Sequence, residues 1–499
     1  MLLPLLYLVI RALEAEPAQL LEMLWRERTW LLLRNTLQLT GSVLILTTLI
    51  SLPLAWLVAR TDLPGRRIIT ILAVMPLAIP GYVMAHALLS LGGANGIGAA
   101  LGFPMARLQG LPGAALALSL YAFPYLFLNI RSALLSLDPG TEESARSLGY
   151  APRTVFRKVI LPMIFPGLIA GWLIIALYTL GDFGAVALMR FEVFSFAIYT
   201  QYSGAFDRTY AAALALILLA LAAVPLVLET RLLRHHNLSR VGTGVSRPIP
   251  AIPLNRWKGP ALLFVTVVVV SSVGLPLLSL LYWMTLRTPW DQLGRVALYF
   301  RNSVSAALPA ALLAVVAALP VAYLRVRFPS RTTLLMERTA YIGYAVPPLA
   351  LALAFVFFSL RAVPFLYQTL LLLIIAWSMN FLALAMGPIR SGLLLAPRRL
   401  EEAARSLGKP PLTAFIVTVL PVLREGIFAS MTLVFVMALK ELPIAFLLAP
   451  TGFTTLSVAV FSRTSEGMLA EAAPFAAAIV LLSSMFVGLM LRYEGREIT

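Results

Sequence analysis

The sequence contains no cysteine, only three histidines and few charged residues. Of its 499 residues, 12% are Asp, Glu, Lys or Arg, whereas 60% are apolar. The lack of cysteine excludes disulfides, thiolate metal sites and thiol chemistry. The three histidines, His86, His235 and His236, lack the helical spacing of a zinc ligand set. Because soluble domains carry about twice this share of charged residues, the composition predicts a polytopic membrane protein.

Acidic residues are the scarcer of the two charge types. The chain has 39 Lys and Arg but 22 Asp and Glu, for a net charge of +17. The basic residues recur in short segments between apolar runs, as expected for cytoplasmic loops, and do not cluster with aromatic residues on one domain. Nucleic acid is therefore not an expected partner. The opening stretch MLLPLLYLVI lacks the basic start and cleavage site of a signal peptide, so it is interpreted as a short or tilted first span.

Apolar runs near the roughly 20 residues needed to cross a bilayer occur twelve times, six in each half of the chain. They cover residues 1–13, 36–59, 68–91, 111–130, 163–189, 209–228, 261–286, 303–324, 333–360, 365–387, 426–449 and 473–491. The pattern predicts an all-α membrane protein with two six-helix halves, residues 1–230 and 259–499. Residues 231–258 form a basic, proline-rich linker without acidic residues, which the positive-inside rule places in the cytoplasm together with both termini.

The two halves repeat each other in sequence. The segment that ends at Arg60 aligns with the segment that ends at Arg327, and Pro80 then falls on Pro347. The octapeptides EESARSLG and EEAARSLG recur at residues 142–149 and 401–408. Because both octapeptides fall on the cytoplasmic side of a six-span half, the repeats are predicted to be parallel and related by pseudo-symmetry.

Local chemistry predicts the shape of each octapeptide. Asp138 can cap a helix that begins at Pro139, and Arg146 near the end complements the helix dipole. Gly149 can adopt the left-handed conformation that ends a helix, and Pro152 is suited to begin the next one. We therefore expect a short cytoplasmic helix, a sharp turn and a second helix that enters the membrane.

The extended repeats resemble the cytoplasmic signature of ATP-binding-cassette importer permeases, in which Glu-Ala-Ala, a glycine and a final Leu-Pro follow at fixed spacing. The first copy departs from the signature at Ser144 and the second at Thr418. The resemblance implies that each short helix docks on one subunit of a separate homodimeric ATPase. The residues implied in this coupling are Glu143, Ala145, Arg146, Gly149, Glu402, Ala404, Arg405 and Gly408.

The chain contains no G-x-x-x-x-G-K-[ST] phosphate-binding loop. We therefore predict that it is not an enzyme, and that ATP and Mg²⁺ are bound by the partner ATPase and no cofactor by this chain.

Two further stretches are similar to one branch of the superfamily, the fused permeases of ferric iron importers. They begin LGDFGAVALMRFEVF at Leu180 and ALKELPIAFLLAPTGF at Ala438. The similarity implies transport of ferric iron, delivered by a periplasmic binding protein, across a bacterial inner membrane. Fused permeases for thiamine and for phosphonates are close relatives, so these two substrates remain alternatives.

Asp182 and Glu441 occupy equivalent places in the two repeats, about twenty residues after each Leu-Pro. One interpretation places them, with Tyr178 or Tyr199, on a transient path for a hard cation, since ferric iron prefers oxygen donors. The other pairs them at the outer interface, for instance with Lys440 or Arg190, and is favoured over direct metal contact. No stably bound metal is expected.

An ion-coupled secondary transporter with two parallel halves is the remote alternative. ARTDLPGRR at residues 59–67 superficially resembles the loop of such carriers, but it lacks the leading glycine and the Asp-Arg pair.

Overall fold

The computed structural model describes residues 2–14, 16, 18, 22, 25–204, 208–233, 251–286 and 292–496. Nearly all of these residues are helical, and the extended pairing among them is one isolated bridge between Thr61 and Ile252. The all-α prediction is therefore confirmed for the described ranges. Residues 234–250, the greater part of the predicted linker, lie outside them.

Twelve described α-helices precede residue 234. They are α1 (Leu2–Leu13), α2 (Glu27–Arg60), α3 (Arg66–Val74), α4 (Gly81–Leu91), α5 (Ile97–Ala100), α6 (Gly110–Leu135), α7 (Pro139–Ser147), α8 (Pro152–Val155), α9 (Leu161–Gly181), α10 (Gly184–Leu188), α11 (Phe194–Ser203) and α12 (Arg208–Leu233).

Thirteen described helices follow the linker. They are α13 (Lys258–Val269), α14 (Leu275–Leu286), α15 (Leu293–Arg327), α16 (Arg331–Ala345), α17 (Pro348–Ala362), α18 (Leu370–Asn380), α19 (Leu382–Leu395), α20 (Arg398–Ser406), α21 (Pro411–Ala414), α22 (Leu420–Lys440), α23 (Pro443–Leu448), α24 (Leu456–Ser465) and α25 (Leu469–Arg496).

The apolar helices correspond to the twelve predicted spans. Within the described ranges, eight helices are long and apolar enough to cross a membrane, and three bent helix pairs raise the number to as many as 11. The short apolar helix Leu3–Leu13 accounts for the remaining predicted span. Two of the bent pairs, with angles of 95° and 107°, break at Pro80 and Pro347. Proline explains the break because it cannot donate the backbone hydrogen bond that would continue the helix.

A π-helical turn precedes the Leu-Pro of each signature. Phe156–Ile160 lies between α8 and α9, and Phe415–Val419 lies between α21 and α22. After one leucine in each copy come Pro162 and Pro421, and each proline leaves a carbonyl one turn earlier without its usual amide partner. A π turn is one way in which a helix absorbs such a local defect.

The chain forms two compact units. Residues 30–194 and 220–283 form the N-repeat unit, whereas residues 1–29, 195–219 and 284–499 form the C-repeat unit. The first membrane helix after the linker, residues 258–283, therefore belongs with the core of the first repeat. Likewise α1 belongs with the core of the second repeat, where Tyr7 packs edge-on against Phe358.

Small residues allow close helix packing inside each unit. In the N-repeat unit a Cβ added at Gly171 of α9 would lie 2.5 Å from a methyl group of Leu126 on α6. In the C-repeat unit Ala306, Ala310 and Ala314 on α15 are fully buried. Close approach of this kind is how membrane helices gain van der Waals contact.

Candidate coupling and path sites

The helix α7 and its C-terminal turn have the predicted geometry. The side chain of Asp138 accepts a hydrogen bond from the backbone N–H of Gly140 at 2.9 Å. Gly149 has a φ of 84°, and its N–H donates to the carbonyl of Arg146 while the N–H of Tyr150 donates to that of Ala145. This pair of bonds closes the helix end around a left-handed residue. The prediction of a helix, a glycine turn and a new helix at Pro152 is confirmed.

The second copy reaches the same turn with a different helix start. Pro397 stands where Asp138 stands in the first copy, so α20 has no side-chain cap. Gly408 has a φ of 82°, and the N–H of Lys409 donates to the carbonyl of Ala404. The glycine turn is therefore shared by the repeats, whereas the cap is not.

A buried ion pair anchors α7 to the end of α2. The Nη2 of Arg60 lies 2.5 and 2.6 Å from the two carboxylate oxygens of Glu142. Arg60 is 3% exposed and Glu142 is 6% exposed. Trp56, one turn before Arg60, lies beneath the guanidinium and packs edge-on against Phe156 of the π turn. The C-terminal end of α2 thus contacts both α7 and the π turn at the base of α9.

The second repeat builds the same arrangement from corresponding residues. The Nε of Arg327 donates to Glu401 at 2.9 Å, and Nη2 donates to the carbonyl of Ala396 at 3.0 Å. Tyr323 replaces Trp56, donates its hydroxyl to Glu401 at 2.7 Å and packs edge-on against Phe415. The geometry of the anchor is therefore conserved between repeats although one aromatic residue is exchanged.

The anchor residues are not among the predicted coupling residues. The predicted glutamates, Glu143 and Glu402, have exposed side chains, whereas Glu142 and Glu401 make the ion pairs. A signal was available, because an acid recurs at this position in both octapeptides and an arginine ends both preceding spans. The spacing between the partners is too long for a local rule to pair them.

The predicted coupling residues lie on different faces of α7 and α20. Ala145 and Ala404 are buried, so their small side chains pack within their own units. The remaining predicted residues, Glu143, Arg146, Gly149, Glu402, Arg405 and Gly408, are exposed. Leu148 and Leu407, which end the two helices, are 77% and 82% exposed. Each turn therefore presents a large apolar side chain beside exposed charges.

The last described part of the linker joins the anchor of the N-repeat unit. The N–H of Ile252 donates to the carbonyl of Arg60, and the N–H of Asp62 donates to the carbonyl of Ile252. Asp62 also accepts a hydrogen bond from the N–H of Leu254 at 2.8 Å and pairs with Lys258 at 2.9 Å. The amide of Leu254, followed by Lys258, lowers the pKa of the Asp62 carboxyl. We call residues 251–258 the strap.

Asp182 and Glu441 cap the short helices that follow them. The Oδ1 of Asp182 accepts hydrogen bonds from the N–H groups of Ala185 and Val186, at 2.9 and 3.2 Å. The carboxylate of Glu441 accepts from the N–H groups of Ile444 and Ala445, at 2.8 and 3.1 Å. Equivalent acids thus satisfy equivalent backbone donors at the start of α10 and α23.

Glu441 is held by two further side chains. Its carboxylate accepts a hydrogen bond from the indole Nε1 of Trp377 at 2.8 Å, and its backbone carbonyl accepts one from Ser457 at 2.7 Å. Three donors to one buried carboxylate satisfy most of its acceptor capacity. These hydrogen bonds fix the position of the carboxylate and offset the cost of removing it from water.

The two predicted path tyrosines belong to different units. Tyr178 lies one helical turn before Asp182 in the N-repeat unit, where its ring is 4.8 Å from that of Tyr121 and 6.2 Å from that of Tyr125. Tyr199 lies in the C-repeat unit with Glu441, and its ring packs edge-on against Phe446 of α23. Each predicted acid therefore shares a unit with one predicted tyrosine.

Comparison with known proteins agrees with this duplicated architecture. The model of the family "Binding-protein-dependent transport system inner membrane component" matches residues 51–235 and again residues 310–496. The chain therefore belongs to this family, with two permease halves fused in one polypeptide. It is a multi-pass transport component of the inner membrane, and the family resemblance inferred from the octapeptides is confirmed.

Individual relatives differ in how much of the chain they match. The Fe(3+)-transport system permease protein FbpB 2 of Haemophilus influenzae is 32% identical over 98% of this chain and 95% of its own length. The molybdenum transport system permease protein ModB of Escherichia coli is 32% identical over 38% of this chain and 88% of its own length. The sulfate transport system permease protein CysT of Salmonella typhimurium is 31% identical over 44% of this chain and 82% of its own length.

Proposed function

We propose that this chain is the permease of an ATP-driven importer for ferric iron, supplied by a periplasmic binding protein and powered by a homodimeric ATPase. The assignment of ferric iron as the cargo rests on the 32% identity to an Fe(3+) permease over nearly the full length of both chains. The molybdenum and sulfate permeases match less than half of this chain. These two partial matches support the permease architecture of each half, whereas the match over the full length supports iron as the cargo.

The exposed faces of α7 and α20 are the proposed ATPase contacts. Each offers a glutamate and an arginine one helical turn apart, followed by an exposed leucine at the glycine turn. An apolar centre surrounded by a polar rim is the usual anatomy of a protein–protein interface. In this proposal α7, α20, the linker and both termini lie in the cytoplasm, as the basic residues favour.

The anchors explain how movement of the short helices would reach the membrane. Glu142 ties α7 to the end of α2, and Phe156 ties the base of α9 to Trp56 on the same helix. A displacement of α7 is therefore delivered to two membrane helices together. Glu401 and Phe415 provide the same connection in the second repeat through Arg327 and Tyr323.

Asp182 and Glu441 are proposed to shape the translocation path by capping rather than by binding iron directly. The Oδ1 of Asp182 and both carboxylate oxygens of Glu441 accept hydrogen bonds from backbone N–H groups, and Glu441 also accepts one from the indole of Trp377. The caps position α10 and α23 at the ends of α9 and α22. Tyr178 and Tyr199 are the proposed path residues that accompany them in the two units.

Uptake by a reconstituted importer tests the cargo. The chain, its ATPase and its binding protein in proteoliposomes should accumulate labelled ferric iron when ATP is supplied on the ATPase side. Excess unlabelled ferric iron should compete, whereas thiamine, a phosphonate, molybdate and sulfate should not. Iron-independent uptake of one of these competitors by the same vesicles would overturn the iron assignment.

Charge reversal tests the ATPase contacts. Glu143→Lys with Glu402→Lys should abolish co-purification of the ATPase while the protein stays in the membrane. Glu192→Lys with Glu466→Lys is the matched control, because it makes the same change in exposed residues outside α7 and α20. Unchanged co-purification with the first pair would remove the proposed role of α7 and α20.

The absence of cysteine allows a clean test of orientation. Ser147→Cys at the end of α7 should react with a membrane-impermeant thiol reagent only from the cytoplasmic side. Glu466→Cys after α24 should react only from the opposite side. The reverse pattern would contradict the proposed topology.

A further inference from the structure

A cavity of about 700 Å³ lies inside the N-repeat unit beside the anchor of α7. Its walls come from the end of α2, from α8 and the π turn before α9, from the strap and from the first turns of α13. Most of the surface is apolar, and the residues that define it include Leu52, Pro53, Trp56, Phe156, Ala261 and Phe264. The volume falls in the range of about 300 to 1,000 Å³ that is typical of small-molecule sites.

The polar groups of the cavity carry positive charge. Arg146 at the end of α7 and Arg153 at the start of α8 line it, and none of the described residues that line it is acidic. A guanidinium presents a planar set of N–H donors that matches the oxygens of a phosphate. The cavity therefore combines an apolar body with a phosphate-binding rim.

The position in the chain fits the border between lipid headgroups and acyl chains. Leu52 and Trp56 lie within three turns of Arg60, where the membrane helix α2 ends. Trp257, which also lines the cavity, is 62% exposed. Tryptophan is enriched at this depth of the membrane because its ring is both apolar and a hydrogen-bond donor.

Charge argues against an occupant from the chain's own linker. The sequence of residues 231–258 contains arginines and a lysine but no acid, so it does not complement Arg146 and Arg153. An anionic lipid does, and the surrounding bilayer supplies it at high local concentration. Basic pockets between membrane helices on the cytoplasmic side are a recognised environment for anionic headgroups.

We propose that this cavity binds an anionic glycerophospholipid of the bilayer, with an acyl chain among Leu52, Phe156 and Phe264 and the phosphate held by Arg146 and Arg153. The bound lipid joins α13 of the second half to α7 and the π turn of the first half. This role in coupling rests on the proposed function, whereas the binding site itself does not.

Native mass spectrometry of the full chain tests the site. The detergent-purified protein should retain phosphatidylglycerol in preference to phosphatidylcholine when both are added in equal amounts. Arg153→Gln should weaken retention roughly tenfold, since a charge-assisted hydrogen bond is worth about one decade or more in affinity. Arg157→Gln removes the same charge from an exposed side chain that does not line the cavity. This variant should therefore retain as much lipid as the parent protein.

A second pair of variants tests the acyl chain. Ala261→Trp fills the cavity from α13 and should remove the bound lipid, whereas Val267→Trp introduces the same ring at an exposed position of that helix and should not. If Arg153→Gln and Arg157→Gln lost equal amounts of bound phosphatidylglycerol, the lipid would be attracted by surface charge in general, and the proposed site would be wrong. Lipid retention in Ala261→Trp would overturn it as well.

The ATPase is the rival occupant. If the lipid is absent from the chain alone and Ala261→Trp instead blocks ATPase binding, the cavity is a protein-docking site and the lipid proposal fails. Because lipid retention is measured without iron or ATP, its failure is distinguishable from failure of the transport assignment.

Discussion

The carboxylate of Glu142 receives the Nη2 of Arg60 at 2.5 and 2.6 Å, with both side chains buried. The two residues are 82 positions apart in sequence, and they join the first residue of the repeated octapeptide to the last residue of a membrane helix. Glu401 and Arg327 repeat the relationship in the other unit at 2.9 Å. In both halves the first glutamate of the octapeptide therefore attaches the short helix to its own chain.

Breaking this pair should destabilise the N-repeat unit. Arg60→Met leaves a buried carboxylate without its partner, so we expect a loss of about 3 to 5 kcal/mol and a lower melting temperature in detergent. Adding Glu142→Gln should recover part of the loss because the uncompensated charge is gone. Glu143→Gln, at an exposed position, should leave the melting temperature unchanged. Equal melting temperatures for Arg60→Met and the parent would refute the anchor.

The exposed leucines at the glycine turns should matter for ATPase binding and not for stability. Leu148→Ser with Leu407→Ser removes two side chains that are about four-fifths exposed. We expect loss of ATPase co-purification, because in the proposed docking each leucine would bury its apolar surface against the ATPase. Leu263→Ser with Leu278→Ser, at comparably exposed positions elsewhere, should retain the ATPase. The reverse result would place the contact outside the turns.

A side chain at Gly149 or Gly408 should destabilise the turn. Alanine at either position fits the space, but φ values of 84° and 82° would cost it about 1 to 2 kcal/mol. The C-terminal turn should change, with reduced ATP-dependent uptake and a lower melting temperature. Gly387→Ala, in open space inside a helix, should be neutral or slightly stabilising. Similar melting temperatures for Gly149→Ala and Gly387→Ala would contradict the conformational argument.

Asp182 should behave as a cap. Its Oδ1 accepts both backbone hydrogen bonds, so Asp182→Asn can keep both while losing the charge. We expect Asp182→Asn to retain stability and most iron uptake, whereas Asp182→Ala should lose about 1 kcal/mol and much of the uptake. If asparagine abolished uptake without a change in melting temperature, the carboxylate would be acting on the cargo directly.

The stability that Asp62 contributes by holding the strap should be lost in acid. The lowered pKa of Asp62 means that its contribution to stability is present above 3.8, the ordinary aspartate value, and is lost as the pH falls through the folded-state pKa. At neutral pH, Asp62→Asn should melt below the parent. The difference should shrink as the solution is acidified below that ordinary value. A constant difference across this range would exclude ionised Asp62 as the cause.

Composition and hydropathy predicted the helical membrane fold, and the octapeptides predicted the helix, glycine turn and second helix. These features depend on residues close together in sequence. Pro80 and Pro347 carried a further signal for the two sharp bends, since a proline in an apolar run marks a break. The two compact units were not predicted, because apolar runs of similar composition give no indication of which helices pack together.

Sequence by itself determined the number of spans, the duplication and the form of each turn, because hydropathy, repetition and backbone preference are local properties. Tertiary structure alone decided that Glu142 pairs with Arg60, that Ala145 faces inward and that Asp182 and Glu441 accept hydrogen bonds from backbone amides. It also decided that α13 closes a cavity beside α7. These outcomes depend on distant segments meeting in space, and the desolvation of their charges is settled only where they meet.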